Sequence, residues 1–255
     1  MFLAWMLGCP STTTDSVVQT FDVDVGCYSP AYSGANTGQI GCGLTNTLGD
    51  PVLDQRFNEE LWIQAQFWGL TPSVYIFDEC PGNMNALSFP EGFILFGVQL
   101  TYDTIISTGS DLPIAGVLAH EWAHQVQFLY GWMNNGDPTV RRTELEADAF
   151  SGYYMGLAKA WAGSEMDSYF QMLESLGDTN FTHPQHHGTP EERRAAGALG
   201  MEVALEVAQS GVWKSYAELH AIFGDQRRRA TRDLADIPAP PEPPVPRESL
   251  YPGAQ

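Results

Sequence analysis

Apolar residues first recur at helical spacing after Asp50, where Leu53, Phe57, Leu61, Ile63, Ala65 and Phe67 follow one another at near 3.6-residue intervals. Asp50 can accept from the open N–H groups of a first helical turn, Pro51 fits that turn, and Gly69 suits a helix stop, so the pattern predicts a helix from Asp50-Pro51 to Gly69. Two short β-branched and aromatic runs follow, Val74-Tyr75-Ile76-Phe77 and Phe93-Ile94-Leu95-Phe96. Turn signals at Pro81-Gly82-Asn83 and Pro90-Glu91-Gly92 separate them, which predicts two strands of a small sheet. Helical spacing returns after Gly109-Ser110-Asp111, with Asp111 as cap, Pro113 in the first turn and Val117, Leu118, Val126 and Leu129 leading to Gly131. A second helix is expected from Asp137-Pro138 through Glu144, Asp148, Tyr153 and Leu157, and three more helical patterns lie around 164–176, 189–209 and 215–234.

The flanks read differently. Residues 21–50 hold Gly26, Gly34, Gly38, Gly41, Gly43 and Gly49 among Ser, Asn and Thr, a loop-rich entry with one short strand expected at Phe21–Val25. The stretch from Ile237 to Pro246 is dominated by proline, which suits neither helix nor sheet ladder and predicts an extended polyproline-like tail over 237–255. With 255 residues, 44% of them hydrophobic, the chain can bury one full core. A single domain over 15–236 is the expectation, and no internal repeat suggests otherwise.

Charge narrows the partners. Twelve Lys and Arg face 31 Asp and Glu, a formal charge of −19 that repels phosphate backbones and anionic headgroups, so no nucleic-acid partner is expected. Arg227-Arg228-Arg229 is read as a solvated helix face. The run Met1 to Cys9 ends like a bacterial lipoprotein signal, with Ser11 to Thr14 as a tether, so residues 1–14 are a candidate signal remnant with a lipid anchor at Cys9. It lacks a positive n-region and is short, so the alternatives are a start further upstream or a buried strand or helix start. A bacterial cell-envelope or secreted location follows from the anchor, a cytoplasmic one from its absence. No later apolar run approaches the ~18 residues of a membrane helix. With Cys9 lipidated, Cys27, Cys42 and Cys80 allow at most one disulfide; Cys27 with Cys42 would brace the glycine-rich entry, the alternative being unpaired small core residues.

The chemistry lies in His120-Glu121-Trp122-Ala123-His124. Histidines at i and i+4 project from one helix face, so both imidazoles can reach one ion, and Glu121 beside the first can approach a water held there without being a ligand. A catalytic zinc needs a third protein ligand and an open position. Glu144, 20 residues beyond His124 on a helix able to fold back, is the candidate. Asp148 shares its face, so one carboxylate could bind metal while the other accepts the N–H of a ligating histidine; Glu146 points elsewhere.

These residues resemble the gluzincin metallopeptidases of the HtpX, BepA and CAAX prenyl protease type, in which HExxH is followed by Glu-x-x-x-Asp. Upstream, Asn85-Ala86-Leu87-Ser88-Phe89-Pro90-Glu91-Gly92-Phe93-Ile94 is similar to the family's Asn-Ala-Phe-x-x-Pro-x-Gly stretch leading into the edge strand at the cleft, with Leu87 in place of an aromatic. Downstream, His187-Gly188-Thr189-Pro190-Glu191-Glu192-Arg193 is similar to a segment in which a histidine near the cleft precedes an arginine by six residues, and His187-Gly188-Thr189 also resembles the bacterial neutral zinc metallopeptidases. His183-Pro184 is an alternative match for the family's His-Pro dipeptide, and His186 reads as a surface histidine without a role.

The resemblance implies an α+β, zincin-like fold: a small mixed sheet packed on the HExxH helix, and a mainly helical C-terminal part. It implies a zinc endopeptidase acting on peptide or unfolded protein, with one Zn2+ on His120, His124 and Glu144, Asp148 behind them, and Glu121 as general base. His187, or alternately His183, would serve the oxyanion. Substrate is expected to add as a strand beside Phe93 to Phe96. The loop from Asp178 to Pro190 could instead place a fourth ligand on zinc and hold the enzyme latent. The alternative function is a proteolytically silent zinc-binding chaperone or assembly factor that keeps the fold.

Overall fold

The computed structural model describes residues 41–79, 84–133, 138–159 and 166–224. The strand expected at Phe21–Val25, the anchor at Cys9, the Cys27–Cys42 pairing, Cys80, Arg227-Arg228-Arg229 and the Pro-rich stretch lie outside the described residues or side chains. Internal contacts group the chain into two compact units that divide between Tyr102 and Asp103, inside one helix and away from any composition boundary.

The first unit carries a mixed four-stranded sheet: β1 (Gly41–Thr45), β2 (Ser73–Glu79), β3 (Ala86–Phe89) and β4 (Phe93–Gly97), in the order β1-β2-β4-β3. β1 runs antiparallel to β2, β2 parallel to β4, and β3 antiparallel to β4. Phe93 to Phe96 therefore form an interior strand, paired with β2 on one side and β3 on the other. This corrects the expectation of an edge there: a peptide cannot add beside β4, because Ala86 to Phe89, read as part of a turn-rich connection, already hold that side. Helix α1 (Pro51–Trp68) has the caps its sequence advertises, Asp50 Oδ1 accepting from the N–H groups of Val52 and Leu53, and Gly69 in the left-handed region at φ 61°. Phe57 of α1 packs against Phe96 with ring centroids 5.1 Å apart, while Phe77, Phe89 and Leu95 form an apolar cluster of the sheet.

Helix α2 (Val98–Thr108) follows β4 directly and has no local sequence signal. Its cap comes from afar: the buried Glu79 carboxylate at the end of β2 accepts from the N–H groups of Gln99 (2.7 Å) and Leu100 (2.9 Å). A carboxylate at a helix N-terminus meets both the open donors and the positive end of the dipole.

The second unit is helical. It contains α3 (Leu112–Tyr130), α4 (Arg141–Tyr154) continued by a π-helical turn (Met155–Lys159), α5 (Met166–Ser175), α6 (Pro190–Ser210) and α7 (Tyr216–Phe223). α3 ends at Gly131 as expected, but Asp111 makes no side-chain cap; Ser110 Oγ accepts from the Leu112 N–H instead. α4 opens at Arg141, not at Asp137-Pro138. Thr189 and Ser215 start α6 and α7 with reciprocal capping boxes to Glu192 and Glu218.

α4 packs most closely on α6, and also on α3 and α7. Small residues permit the first contact. A methyl group on Gly152 would collide with the Gly197 carbonyl, and one on Gly200 with the Ala149 carbonyl, so the two backbones run in direct contact. Tyr169 of α5 crosses above Gly116 of α3, and its hydroxyl donates to Ser151 Oγ, which donates to the Gly116 carbonyl. No described helix is long and apolar enough to cross a membrane.

Candidate metal centre

The site lies within the second unit, where α3 supplies two histidines and α4 two carboxylates. His120 and His124 stand one turn apart, with Nε2 atoms 3.1 Å from each other and ring planes nearly perpendicular. Glu144, in the first turn of α4, closes the triangle: Oε2 lies 3.2 Å from His120 Nε2 and Oε1 lies 3.4 Å from His124 Nε2. A four-coordinate ion with bonds of about 2.0–2.1 Å separates its ligand atoms by roughly 3.3–3.4 Å, close to the spacings between the two Nε2 atoms and between each of them and its nearer Glu144 oxygen. The group can hold a metal ion. All three side chains retain a sliver of exposure, 10%, 9% and 14%, leaving a path to solvent.

The far sides of both rings are fixed. His120 Nδ1 donates to Asp148 Oδ1 at 2.9 Å. His124 Nδ1 donates to Gln127 Oε1 at 2.7 Å; Gln127 Nε2 donates to the Thr143 carbonyl at 3.0 Å, which sets the amide with its oxygen toward the ring. When each ring is neutral with its one proton on Nδ1, each Nε2 is left with a lone pair on the side of Glu144, the state a metal requires.

Behind His120, the buried Arg193 of α6 grips Asp148 in two-pronged fashion, Nε to Oδ2 and Nη2 to Oδ1, both at 2.8 Å, and its Nη1 donates to the Leu176 carbonyl. Burial would raise the Asp148 carboxyl, but Arg193 and His120 outweigh it and hold the group below its usual range. Burial likewise opposes charge on His120, yet hydrogen bonds to Asp148 and Glu144 push its pKa up to about 10. Glu144 itself lies well below its ordinary value despite burial, because of His124 and His120.

Glu121 is buried beside this group, and burial raises its pKa against the pull of His124 and His120. Glu146 faces away, as expected, and accepts from His220 Nδ1 of α7 at 2.5 Å.

The loop before α6 is organised by Asp178. Its carboxylate accepts from the N–H groups of Asn180 (2.8 Å) and His187 (2.9 Å) and from His186 Nδ1 (2.7 Å). The chain reaches α6 through Gly188 at φ 103°, and the Pro184 carbonyl accepts from the Val140 N–H, tying the loop to the start of α4. His186, expected at the surface, is 2% exposed and part of this scaffold. His183 is exposed, with Nδ1 accepting from the Gln185 N–H. His187 is half-buried; burial lowers its pKa, and its charge is coupled to Glu144, Arg193 and His120. No loop histidine joins the metal-competent group among the described residues.

Gln127, the two-pronged role of Arg193, and Asp178 escape a reading of the sequence. Gln127 alone offered a signal, its i+3 spacing from His124. No protein-family model, curated protein or solved structure matches the chain.

Proposed function

We propose that the chain is a zinc-dependent endopeptidase of zincin-like architecture. The observation that carries this reading is the convergence of two Nε2 lone pairs and one carboxylate at coordination spacing, with Glu121 buried alongside. Two nitrogens and one oxygen suit zinc better than the oxygen-only sets of calcium or magnesium, and three protein ligands leave the open position a catalytic site needs. A zinc ion would be held by His120, His124 and Glu144 and would supply Lewis-acid polarisation of a carbonyl and a water of pKa near about 7.

The chain's own groups do the rest. Glu121, its pKa raised by burial, takes the water proton at its carboxylate and returns it to the leaving amine. His187, kept neutral by its lowered pKa and held by the Asp178 loop, offers a ring N–H to the developing oxyanion; His183, exposed and turned into its own turn, does not. Asp148, clamped by Arg193, keeps the His120 tautomer that leaves Nε2 unprotonated when metal is bound. The substrate of this reading is peptide or unfolded protein.

Glu121→Gln tests the reading. The variant should bind one zinc per chain and lose at least 100-fold in cleavage of casein or a quenched peptide, the scale of a missing general base. Cleavage that survives the substitution refutes the mechanism. Zinc bound by the native chain with no cleavage of any peptide or unfolded protein returns the silent chaperone alternative.

A further inference from the structure

We infer that Gln127 is a positioning residue for the metal centre, so that the functional signature on α3 is His-Glu-x-x-His-x-x-Gln and not the five-residue motif alone. The inference rests on the metal-centre reading and adds a residue to it.

The two histidines need the same thing from their surroundings, a fixed ring plane and a proton on Nδ1. They receive it from unlike groups. His120 has a carboxylate held by a buried arginine. His124 has a neutral amide, whose side chain is 0% exposed and bonded at both ends. A buried glutamine on a packed helix face costs free energy unless its amide is satisfied, and here both of its named bonds go to the metal centre's own elements.

The second bond gives the amide more than a steric role. Gln127 Nε2 donates to the carbonyl of Thr143, the residue directly before Glu144. One side chain therefore fixes the direction of the α3 ligand and the backbone beside the α4 ligand. Gln127 thus bridges a ring nitrogen on α3 to main chain of α4. A glutamate would keep the acceptor for His124 but present a second oxygen to the Thr143 carbonyl. Leucine, of similar size, would remove both bonds and leave the His124 tautomer unfixed.

Zinc affinity of the full chain, measured by competition with a chromophoric chelator, tests this alongside the melting temperature of the metal-free protein and the visible spectrum of the Co2+ form. Gln127→Leu should weaken zinc binding by about 10- to 100-fold, the usual effect of losing a group that orients a ligand, and should alter the Co2+ bands. Val126→Ala, a buried apolar change on the same helix, controls for loss of stability and should keep zinc affinity within about threefold of the native chain. Gln127→Glu should bind zinc more tightly than Gln127→Leu. Native affinity in Gln127→Leu, an equal loss in Val126→Ala, or no recovery in Gln127→Glu each overturns the inference. A native chain that binds no zinc removes the metal centre itself.

Discussion

Replacing Arg193 by methionine removes the only cation within hydrogen-bond reach of Asp148 among the described residues apart from the His120 ring. Asp148 is 0% exposed and the Arg193 side chain 4%, so water cannot take over the lost contacts. Breaking a buried pair by deleting one partner costs about 3–5 kcal/mol, because the surviving charge stays in a low-dielectric site. For a folded body of this size that is a fall in melting temperature of roughly 6–20 °C. Asp148→Asn on the Arg193→Met background keeps an acceptor for His120 Nδ1 but removes the stranded charge, so about 2 kcal/mol or more should return. Urea unfolding in the presence of a chelator measures the protein without any contribution from metal. A loss below about 1 kcal/mol in Arg193→Met, or no recovery in the double variant, would refute the claim that the pair is desolvated and mutually dependent.

Two further outcomes concern pH. Burial opposes charge on His120, but Asp148 and Glu144 push its pKa up to about 10, so on this reading metal competes with a proton for the ring through neutral pH. Zinc affinity should therefore rise with pH, about tenfold per unit for each proton displaced, between roughly pH 6 and 9. A flat profile in a competition titration, after correction for the chelator's own protonation, would show that no such proton is held. The Asp178 carboxyl is opposed by its partial burial, but the His187, His186 and Asn180 donors win and bring it from its ordinary 3.8 to about 2. Its folded-state value is depressed, so the stability it lends the loop is complete above about pH 4 and is lost as pH falls toward 2. Proteolysis within 178–188 should accelerate over that window in the native chain, while Asp178→Asn should be cut readily at every pH.

The parts of the molecule legible from sequence are those whose causes are local. Asp50 and Gly69 delimit α1 because capping acts within a few residues, and the i, i+4 spacing of His120 and His124 fixes their common face whatever surrounds them. Glu144 and Asp148 were readable for the same reason once the histidines demanded a third ligand and a partner. Elements held by distant groups were not. α2 is capped by Glu79, about twenty positions earlier, and β3 is only four residues long, so its strand character comes from pairing with β4. β1 is built on Gly41 and Gly43, a composition that on its own describes a loop. The clamp on Asp148 spans 45 positions and depends on a helix crossing that no periodicity announces.

That crossing also bears on how the protein could be altered. Exchanging a helical glycine for alanine is a routine stabilising change, worth up to about 1 kcal/mol through propensity. At Gly152 and Gly200 the added methyl would strike a carbonyl of the opposite helix and push α4 and α6 apart. Arg193 rides on α6 about two turns before Gly200 and Asp148 on α4 about one turn before Gly152, so the separation would be read out as a loosened His120. A thermostability screen on this chain should therefore find its gains elsewhere: at these two glycines the helix that would become stronger in isolation would carry a weaker metal grip.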